Sequence, residues 1–406
     1  MLFSITLGCV SDPLSIDSEF DVVDWPDVAV EHVEETPDEQ AWIFNRKMVH
    51  SVELTIADEG IDSLWADPSE YVEATATFDG ADLGVVGIRL KGRIGSFRTL
   101  DKKSGFKMDL NRFQEGNRFH GLEQMTFNNS VTDCSYMKEH LGYQIYRDAG
   151  VAASRNGYTE IRLNGALYGL YVITETTDDR WLKRSFDEPE GNLYDGKYLW
   201  YGGYNYTLLD FHPSLADSFQ LEEGLGPRDD INDMVDVVHA ASTSGSFYED
   251  TAGVVNWERQ HRQVAVAQWI GHVDGYSMNQ NNYRVYYDPG DDLRATIVPW
   301  DLDYAFIRDS AWGKSWNSPQ GLLSRYCRAD DACWEAQGEA MASLLGEVID
   351  ERAYLDLLED TQDMLEPYIE ADPRRECGMS DHNSASSALR TWVRGRDEAM
   401  EDFWDL

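Results

Sequence analysis

The stretch IVPWDLDYAF, residues 297–306, limits the folds open to this chain more than any other segment. It is apolar up to Trp300, places Asp301 and Asp303 two residues apart, and becomes apolar again at Tyr304. A carboxylate is costly to bury unless it is paired or bound to a metal. Side chains two apart on extended backbone point the same way, so we expect the two aspartates to share one partner. The segment therefore indicates that the two carboxylates face a cation or another partner, which these residues alone do not identify.

The elements predicted upstream of the aspartate pair follow one another in an order that is known from other proteins. An apolar-faced helix predicted at about 256–272 breaks into a polar loop that carries Asp274 and Asn279, and a hairpin at 282–300 leads to the aspartate pair. Protein kinases use the same order of catalytic aspartate, asparagine, hairpin and metal-binding aspartate. His272 completes the kinase spacing H-x-D-x-x-x-x-N, although that spacing by itself often arises by chance.

The first half of the chain alternates apolar and polar residues with the period of β-strands. The alternating segments are SVELTIAD (51–58), YVEATATFDG (71–80), GVVGIRLKG (84–92) and GFKMDLNRF (105–113). A helix is predicted at about 135–149 and a hairpin with its turn at Asn164-Gly165 follows. The second half is more helical, with helices predicted through 335–403. The pattern predicts an α+β fold with a β-rich first part and a more helical second part.

Charge is distributed unevenly along the chain. The net charge of −40 argues against nucleic acid and anionic membrane surfaces as partners. Between Arg89 and Arg118, however, nine basic residues face three acidic ones, a local charge of +6. This basic segment indicates an anionic ligand, and an ion-paired surface strand is the alternative.

The N-terminus has the pattern of an exported protein. Residues 1–9 form an apolar run that resembles a bacterial lipoprotein signal remnant, with Cys9 as the lipidated residue, and an ordinary buried segment is the alternative. Residues 10–40 predict a disordered tether because they are rich in Asp and Glu and contain no Lys or Arg. No other apolar run approaches the ~20 residues that span a bilayer. We therefore expect an extracytoplasmic protein, lipid-anchored or secreted.

The cysteines give one further expectation. Cys327 and Cys333, in CRADDAC, predict a disulfide that closes a small loop. A zinc site is less favoured because no histidine lies in metal-ligand spacing with them. Cys134 and Cys377 cannot be assigned from the sequence.

Six segments in order resemble the spore coat protein H (CotH) kinase family of atypical secreted protein kinases, over roughly residues 50–400. They are IRLKGRIGSFRTLDKKSGFKMDL (88–110), MTFNNSVTDCSYMKEHLGYQIYRDAGV (125–151), EIRLNGALYGLYVITE (160–175), GNLYD (191–195), DGYSMNQNNYRVYYDP (274–289) and PWDLDYAF (299–306). The resemblance implies a two-lobed, atypical protein-kinase-like fold, with a β-rich nucleotide-binding lobe at 41–178 and a helical catalytic and metal lobe at 179–406. It implies transfer of the γ-phosphate of ATP, with Mg²⁺ or Mn²⁺, to Ser or Thr of an extracytoplasmic protein.

The resemblance also implies roles for individual residues. Asp274 becomes the catalytic aspartate, which orients the attacking hydroxyl and accepts its proton. The implied metal ligands are Asp301, Asp303 and either Asn279 or Asn282. Their structural alternatives are a helix N-cap or an ion pair with Arg308 for the aspartate pair, and an ion pair with Arg284 for Asp274. His272 is expected to be a structural residue of the loop.

Several residues of the basic half are candidates for the nucleotide. They are Arg89, Lys91, Lys103, Lys107 and Glu175. Lys107 is favoured for the phosphates because it alternates with two apolar residues and so projects from the opposite face. Glu175, at the end of YVITE, is expected near ribose or adenine. Glu139 is the obvious partner for the phosphate lysine, yet it falls opposite the apolar stripe of its helix, which leaves that pairing open.

Two other functions stay open at this point. One is a catalytically inactive metal- or nucleotide-binding cell-surface module, and the other is a glycosidase with paired carboxylates. A glycosidase needs carboxyl groups about 5–9.5 Å apart and gives the basic segment no role. Asp274 and Asn279 are both present, so the sequence gives no reason to expect an inactive kinase. The acidic composition predicts a neutral or basic acceptor segment.

Overall fold

The computed structural model describes residues 38–406, in which strands dominate the first half and helices the second. The strands are β1 (Val49–Thr55), β2 (Val72–Phe78), β3 (Ala81–Lys91), β4 (Gly105–Asp109), β5 (Gln124–Asn128), β6 (Asn156–Leu163), β7 (Ala166–Thr174), β8 (Leu193–Asp195), β9 (Leu199–Gly202), β10 (Asn205–Thr207), β11 (Gln220–Glu223), β12 (Tyr283–Asp288), β13 (Arg294–Pro299), β14 (Ser310–Ala311) and β15 (Lys314–Ser315). The helices are α1 (Asp58–Ala66), α2 (Lys138–Asp148), α3 (Asp179–Ser185), α4 (Asp229–Ala241), α5 (Phe247–Thr251), α6 (Trp257–Trp269), α7 (Tyr276–Asn279), α8 (Leu322–Ala329), α9 (Asp331–Ser343), α10 (Glu351–Ala371) and α11 (Met379–Trp404). The predicted signal remnant at 1–9 and the tether up to residue 37 lie outside the described residues.

Strands β1 to β7 close into a barrel with the order β1-β2-β3-β4-β5-β7-β6. Apolar residues at every second position fill its interior, as on β2, where burial alternates along the strand. The barrel closes through a parallel pairing of β1 with β6, in which Val49 lies opposite Tyr158. The sequence predicted the strands but not this closure, because the pairing joins segments that are far apart in the chain. The prediction of a mixture of helix and strand is confirmed.

The predicted helix and hairpin before the aspartate pair are both present. The helix is α6, whose N-cap Asn256 accepts a hydrogen bond from the Arg259 N–H, and it stops before Gly271, which has a φ of +62°. The hairpin is β12 and β13, which pair antiparallel from Tyr283 opposite Pro299. These strands form one side of a sheet with the order β11-β8-β12-β13. The polar loop and the aspartate pair therefore emerge at neighbouring ends of α6 and β13.

A second apolar core joins the helices to the outside of the barrel. It contains side chains of α2, α6, α10 and α11, among them Leu141, Trp269, Leu358 and Val393. Helix α2 is buried on nearly all sides, including its polar residues. Among the described helices, none is both long and apolar enough to cross a bilayer.

The turn between α10 and α11 is fastened to the barrel. Asp372 accepts hydrogen bonds from Lys103 Nζ at 2.6 Å and from the Leu170 N–H at 3.0 Å, and both members of the ion pair are fully buried. A disulfide joins Cys134 to Cys377, 243 residues apart in sequence. The Cys327–Cys333 disulfide that the sequence predicted is also formed.

Candidate active site

The aspartate pair follows β13 in a turn rather than in extended backbone. Asp301 has a φ of +48°, so the expectation that extended backbone aligns the two side chains is wrong. The Asp301 N–H donates to the Tyr143 hydroxyl at 3.0 Å, and the Asp301 carbonyl accepts from His272 Nε2 at 3.3 Å. Burial lowers the pKa of His272 to about 4, so this histidine is a neutral structural donor, as predicted. The turn nevertheless brings Asp301 and Asp303 to one cleft.

Asp303 is held on both its side chain and its main chain. Its carboxylate accepts a hydrogen bond from Thr132 Oγ1, and its carbonyl accepts one from Lys138 Nζ at 2.9 Å. Burial and the neighbouring Asp301 raise the pKa of Asp303 well above its ordinary value. In the described part of the chain, no cationic side chain forms an ion pair with either aspartate, so the alternative partner Arg308 is not used. Two partly buried carboxylates therefore lie close together here, and Asp301 disfavours the ionisation of Asp303.

Asp274 lies in a ring of side-chain amides. Its carboxylate accepts hydrogen bonds from Asn279 Nδ2 at 2.6 Å, Asn282 Nδ2 at 3.0 Å and Asn281 Nδ2 at 3.3 Å. Burial raises its pKa to about 6, against the lowering effect of the amides. The alternative ion pair with Arg284 does not form, since that guanidinium stacks on the Trp300 ring, 4.2 Å from its centroid.

Asn279 connects Asp274 to a lysine that the sequence did not single out. Its Oδ1 accepts a hydrogen bond from Lys314 Nζ at 2.6 Å. Burial lowers the pKa of Lys314. Asn279 Oδ1 therefore already accepts a bond from a cationic group, whereas Asn282 Oδ1 accepts none among the described hydrogen bonds.

Lys91 is the lysine that the structure places beside the aspartate pair. Its Nζ donates to Asn128 Oδ1, and Asn128 Nδ2 donates to Glu139 Oε2 at 2.7 Å. Burial, with a smaller effect from Asp301, raises the pKa of Glu139 to about 7. Glu139 is thus the buried helix glutamate of the site, and Asn128 joins it to Lys91. The apolar stripe of this helix did not predict the burial of Glu139, because the polar face of α2 is buried as well.

Lys107 and Arg89 lie apart from this cleft on the outer face of the barrel. They face each other across β3 and β4, and Lys107 projects away from the core as the alternation predicted. Burial, with smaller effects from Arg89 and Arg284, lowers the pKa of Lys107 to about 8. Neither residue lines the cleft that contains Asp301, whereas Lys91 does. The choice of Lys107 for the nucleotide phosphates stays a prediction.

Two other nucleotide candidates have structural partners. Lys103 is fully buried in its ion pair with Asp372, and its Nζ also donates to the Tyr136 hydroxyl at 2.6 Å. Glu175 is buried and accepts hydrogen bonds from Arg155 and Arg184, both at 2.7 Å. Lys103 is therefore unavailable to a phosphate, and Glu175 is not free to hold ribose.

The cleft combines acidic and basic groups on opposite walls. Glu139, Asp301 and Asp303 lie on the side of α2 and the turn after β13, and Lys91 lies on the barrel side. Gly92 begins the loop after β3 with a φ of +115°, and a Cβ there would lie 2.8 Å from the Phe97 backbone. Hard oxygen ligands suit Mg²⁺ or Mn²⁺, and a lysine beside a glycine loop suits phosphate oxygens.

Comparison with known proteins decides the family. The family model described as CotH kinase protein matches residues 88–400, most of the chain. The chain belongs to the CotH kinase family. The match spans Lys91, Asn128, Glu139, Asp274 and the aspartate pair, so the whole cleft lies within the family region.

Two further proteins are similar to this chain. The chain is 19% identical over 318 residues to inner spore coat protein H of Bacillus subtilis (strain 168), a match that covers 71% of this chain and 81% of that protein. A structure of the Shewanella oneidensis MR-1 toxin–antitoxin system, HipA and HipB with operator DNA, matches with a TM-score of 0.37 and 12% identity, over 87% of this chain and 74% of that chain.

Proposed function

We propose that this CotH-family chain is a protein kinase that transfers the γ-phosphate of ATP to Ser or Thr of an extracytoplasmic protein. The supporting observation is one cleft that joins Lys91, Asn128 and Glu139 to the Asp301–Asp303 turn, with Asp274 close enough to raise the pKa of Asp303. A barrel on one side of this cleft and helices on the other support the proposal of a two-lobed, kinase-like layout. Phosphoryl transfer depends mainly on positioning and charge stabilisation, which these groups supply.

A divalent cation fits the carboxylates of the cleft. Asp301 and Asp303 would hold Mg²⁺ or Mn²⁺, with Asn282 or Asn279 as a further oxygen ligand. The mutual repulsion that raises the pKa of Asp303 favours such an ion, because a bound cation stabilises the ionised form. When bound, the ion neutralises charge on the phosphate oxygens of ATP.

The remaining polar groups have separable tasks. Lys91 is suited to contact phosphate oxygens, and Glu139 fixes its position through Asn128. Asp274 is ionised above a pH of about 6 and is still basic enough to accept the proton of an attacking hydroxyl. Its three asparagine donors orient the carboxylate without neutralising it.

Charge and cysteine chemistry support the proposed location and acceptor class. The two disulfides favour an oxidising compartment, which supports extracytoplasmic action and is consistent with a lipid anchor at Cys9. The net charge of −40 favours a neutral or basic acceptor segment over an acidic one. An acidic Ser-containing peptide that is phosphorylated faster than a basic one would contradict this assignment.

The kinase proposal is tested by transfer of label from γ-labelled ATP, with Mg²⁺ or Mn²⁺, to the chain itself and to a Ser-rich basic peptide. Asp274→Ala and Asp301→Ala should abolish transfer, whereas Asp356→Asn, which changes an exposed carboxylate on α10, should not. Label that persists in both site variants would refute the assigned roles. A melting temperature raised by ATP and metal, without transfer to any acceptor, would favour the inactive binding module instead.

A further inference from the structure

Lys314 lies in a short hairpin, formed by β14 and β15, that returns to the loop of Asp274. Ala311 on β14 pairs with Lys314 on β15. Lys314 Nζ donates to Asn279 Oδ1 at 2.6 Å, and Asn279 Nδ2 donates to the Asp274 carboxylate at 2.6 Å. Two short hydrogen bonds therefore connect this ammonium group to the proposed catalytic carboxylate.

This ammonium group has no acidic partner. Its hydrogen bond goes to a neutral amide, and no carboxylate among residues 38–406 forms an ion pair with Lys314. Burial lowers the pKa of Lys314, and the nearby Asp274 opposes that lowering. A lysine side chain has three N–H donors, of which the described hydrogen bonds use one. Two donors and a positive charge are therefore left for an anionic ligand.

The position of Lys314 selects the phosphate group that it can reach. Lys91 lines the cleft on the barrel side, whereas Lys314 contacts the loop that carries Asp274 on the helical side. The phosphorus atom under attack must lie next to Asp274, because that carboxylate orients the attacking hydroxyl in the proposed function. In ATP this atom belongs to the γ-phosphate. We propose that Lys314 binds the γ-phosphate oxygens of ATP, a role that rests on the proposed function.

The same contact would act while the phosphoryl group is transferred. The bond between the γ-phosphorus and the β,γ-bridging oxygen breaks, the acceptor oxygen bonds to phosphorus, and Asp274 takes the hydroxyl proton. The products are ADP and a phosphorylated acceptor. Negative charge is spread over the three γ-oxygens during this step, and the positive charge of Lys314 stabilises it. Removal of the ammonium group should therefore lower kcat more than it weakens acceptor binding.

Nucleotide binding tests this role without phosphoryl transfer. ADP and the β,γ-imido analogue of ATP, which resists cleavage, are titrated by calorimetry into the full chain with Mg²⁺. Lys314→Met should weaken binding of the analogue about tenfold or more and leave ADP binding unchanged, because only the analogue carries a γ-phosphate. Lys314→Arg keeps the positive charge and should restore part of the preference for the analogue. Lys183→Met, which removes an exposed lysine of α3, should alter neither affinity.

Transfer of label from ATP is the second readout. Lys314→Met should lower kcat about 100-fold or more and leave the KM for the acceptor peptide nearly unchanged. An unchanged ratio of the two nucleotide affinities in Lys314→Met would overturn this proposal alone, as would an equal weakening of both, which would show an indirect effect on the loop.

The two readouts also separate this role from the kinase proposal. An unmodified chain that prefers the analogue to ADP, loses that preference in Lys314→Met and transfers no label would support the role of Lys314 and refute only the kinase proposal. An unmodified chain that binds neither nucleotide would refute both.

Discussion

Replacing Asp274 by Asn should stabilise the metal-free protein while it abolishes phosphoryl transfer. Burial raises the pKa of this carboxyl from 3.8 to about 6. The folded state therefore binds the Asp274 proton more tightly than the unfolded state does. The stabilising contribution is fully present below the ordinary pKa and is lost as the pH rises through about 6.

The size of the effect follows from that shift. A difference of about 2 pKa units corresponds to about 3 kcal/mol of free energy. At pH 7.5, ionisation of Asp274 lowers the free energy of unfolding by this amount. At pH 4.5 it lowers it by only about 1 kcal/mol, because the carboxyl is protonated in the folded state and only partly ionised in the unfolded state. An Asn at position 274 keeps the shape of the side chain, but its amide nitrogen replaces one carboxylate oxygen. That nitrogen cannot accept the hydrogen bond from Asn281 or Asn282, which costs about 1 kcal/mol. Asp274→Asn should thus raise the free energy of unfolding by about 2 kcal/mol at pH 7.5 and leave it nearly unchanged at pH 4.5.

Urea denaturation at the two pH values, with a chelator present, measures this difference. Asp356→Asn serves as the control, because that carboxylate lies on the surface in an i,i+4 pair with Arg352 and should change stability by only a few tenths of a kcal/mol at either pH. An Asp274→Asn variant that is destabilised equally at both pH values would refute the reasoning. It would show that the buried carboxylate does not oppose folding.

Three further outcomes are expected. Lys103→Met should lower the free energy of unfolding by about 3–5 kcal/mol in urea, because Asp372 would remain buried without its partner; an unchanged urea midpoint would contradict this. Selective replacement of Cys134 and Cys377 by Ser should cost about 2–5 kcal/mol, and equal midpoints would show that the disulfide does not restrict the unfolded chain. Mn²⁺ or Mg²⁺ at about 100 times its Kd should raise the free energy of unfolding by about 2.7 kcal/mol. Asp303→Asn should reduce this stabilisation. An unaltered stabilisation in that variant would show that Asp303 is not a ligand.

Local sequence patterns were sufficient for many elements of the fold. The Asn164-Gly165 turn predicted the β6–β7 hairpin, and the apolar helix before Asp274 appears as α6. The loop with Asp274 and Asn279 and the turn with Asp301 are neighbours, as the order of elements predicted. These features depend on short-range periodicity and turn chemistry, which a single sequence records.

What the sequence could not supply depends on distant contacts. Asn128 joins Lys91 to Glu139, and no spacing rule links residues on β3, β5 and α2. Lys103 looked like a phosphate ligand because its partner Asp372 lies 269 residues away. Glu139 looked exposed because a helical stripe shows which face is apolar, but not that the polar face is buried too. In each case a tertiary contact overrides a local pattern.

The Lys103–Asp372 ion pair, which joins the barrel to the turn between α10 and α11, also affects when the barrel can fold during synthesis. The strands of the barrel are complete by Thr174, but the carboxylate that neutralises buried Lys103 arrives only with Asp372. At about 5–20 residues per second, ribosomes need on the order of 10–40 s to cover that interval. Until then a barrel that closes early must leave the Lys103 ammonium in water or bury it unpaired. The nascent barrel should therefore stay open or loosely packed around Lys103 until the far helices have been made.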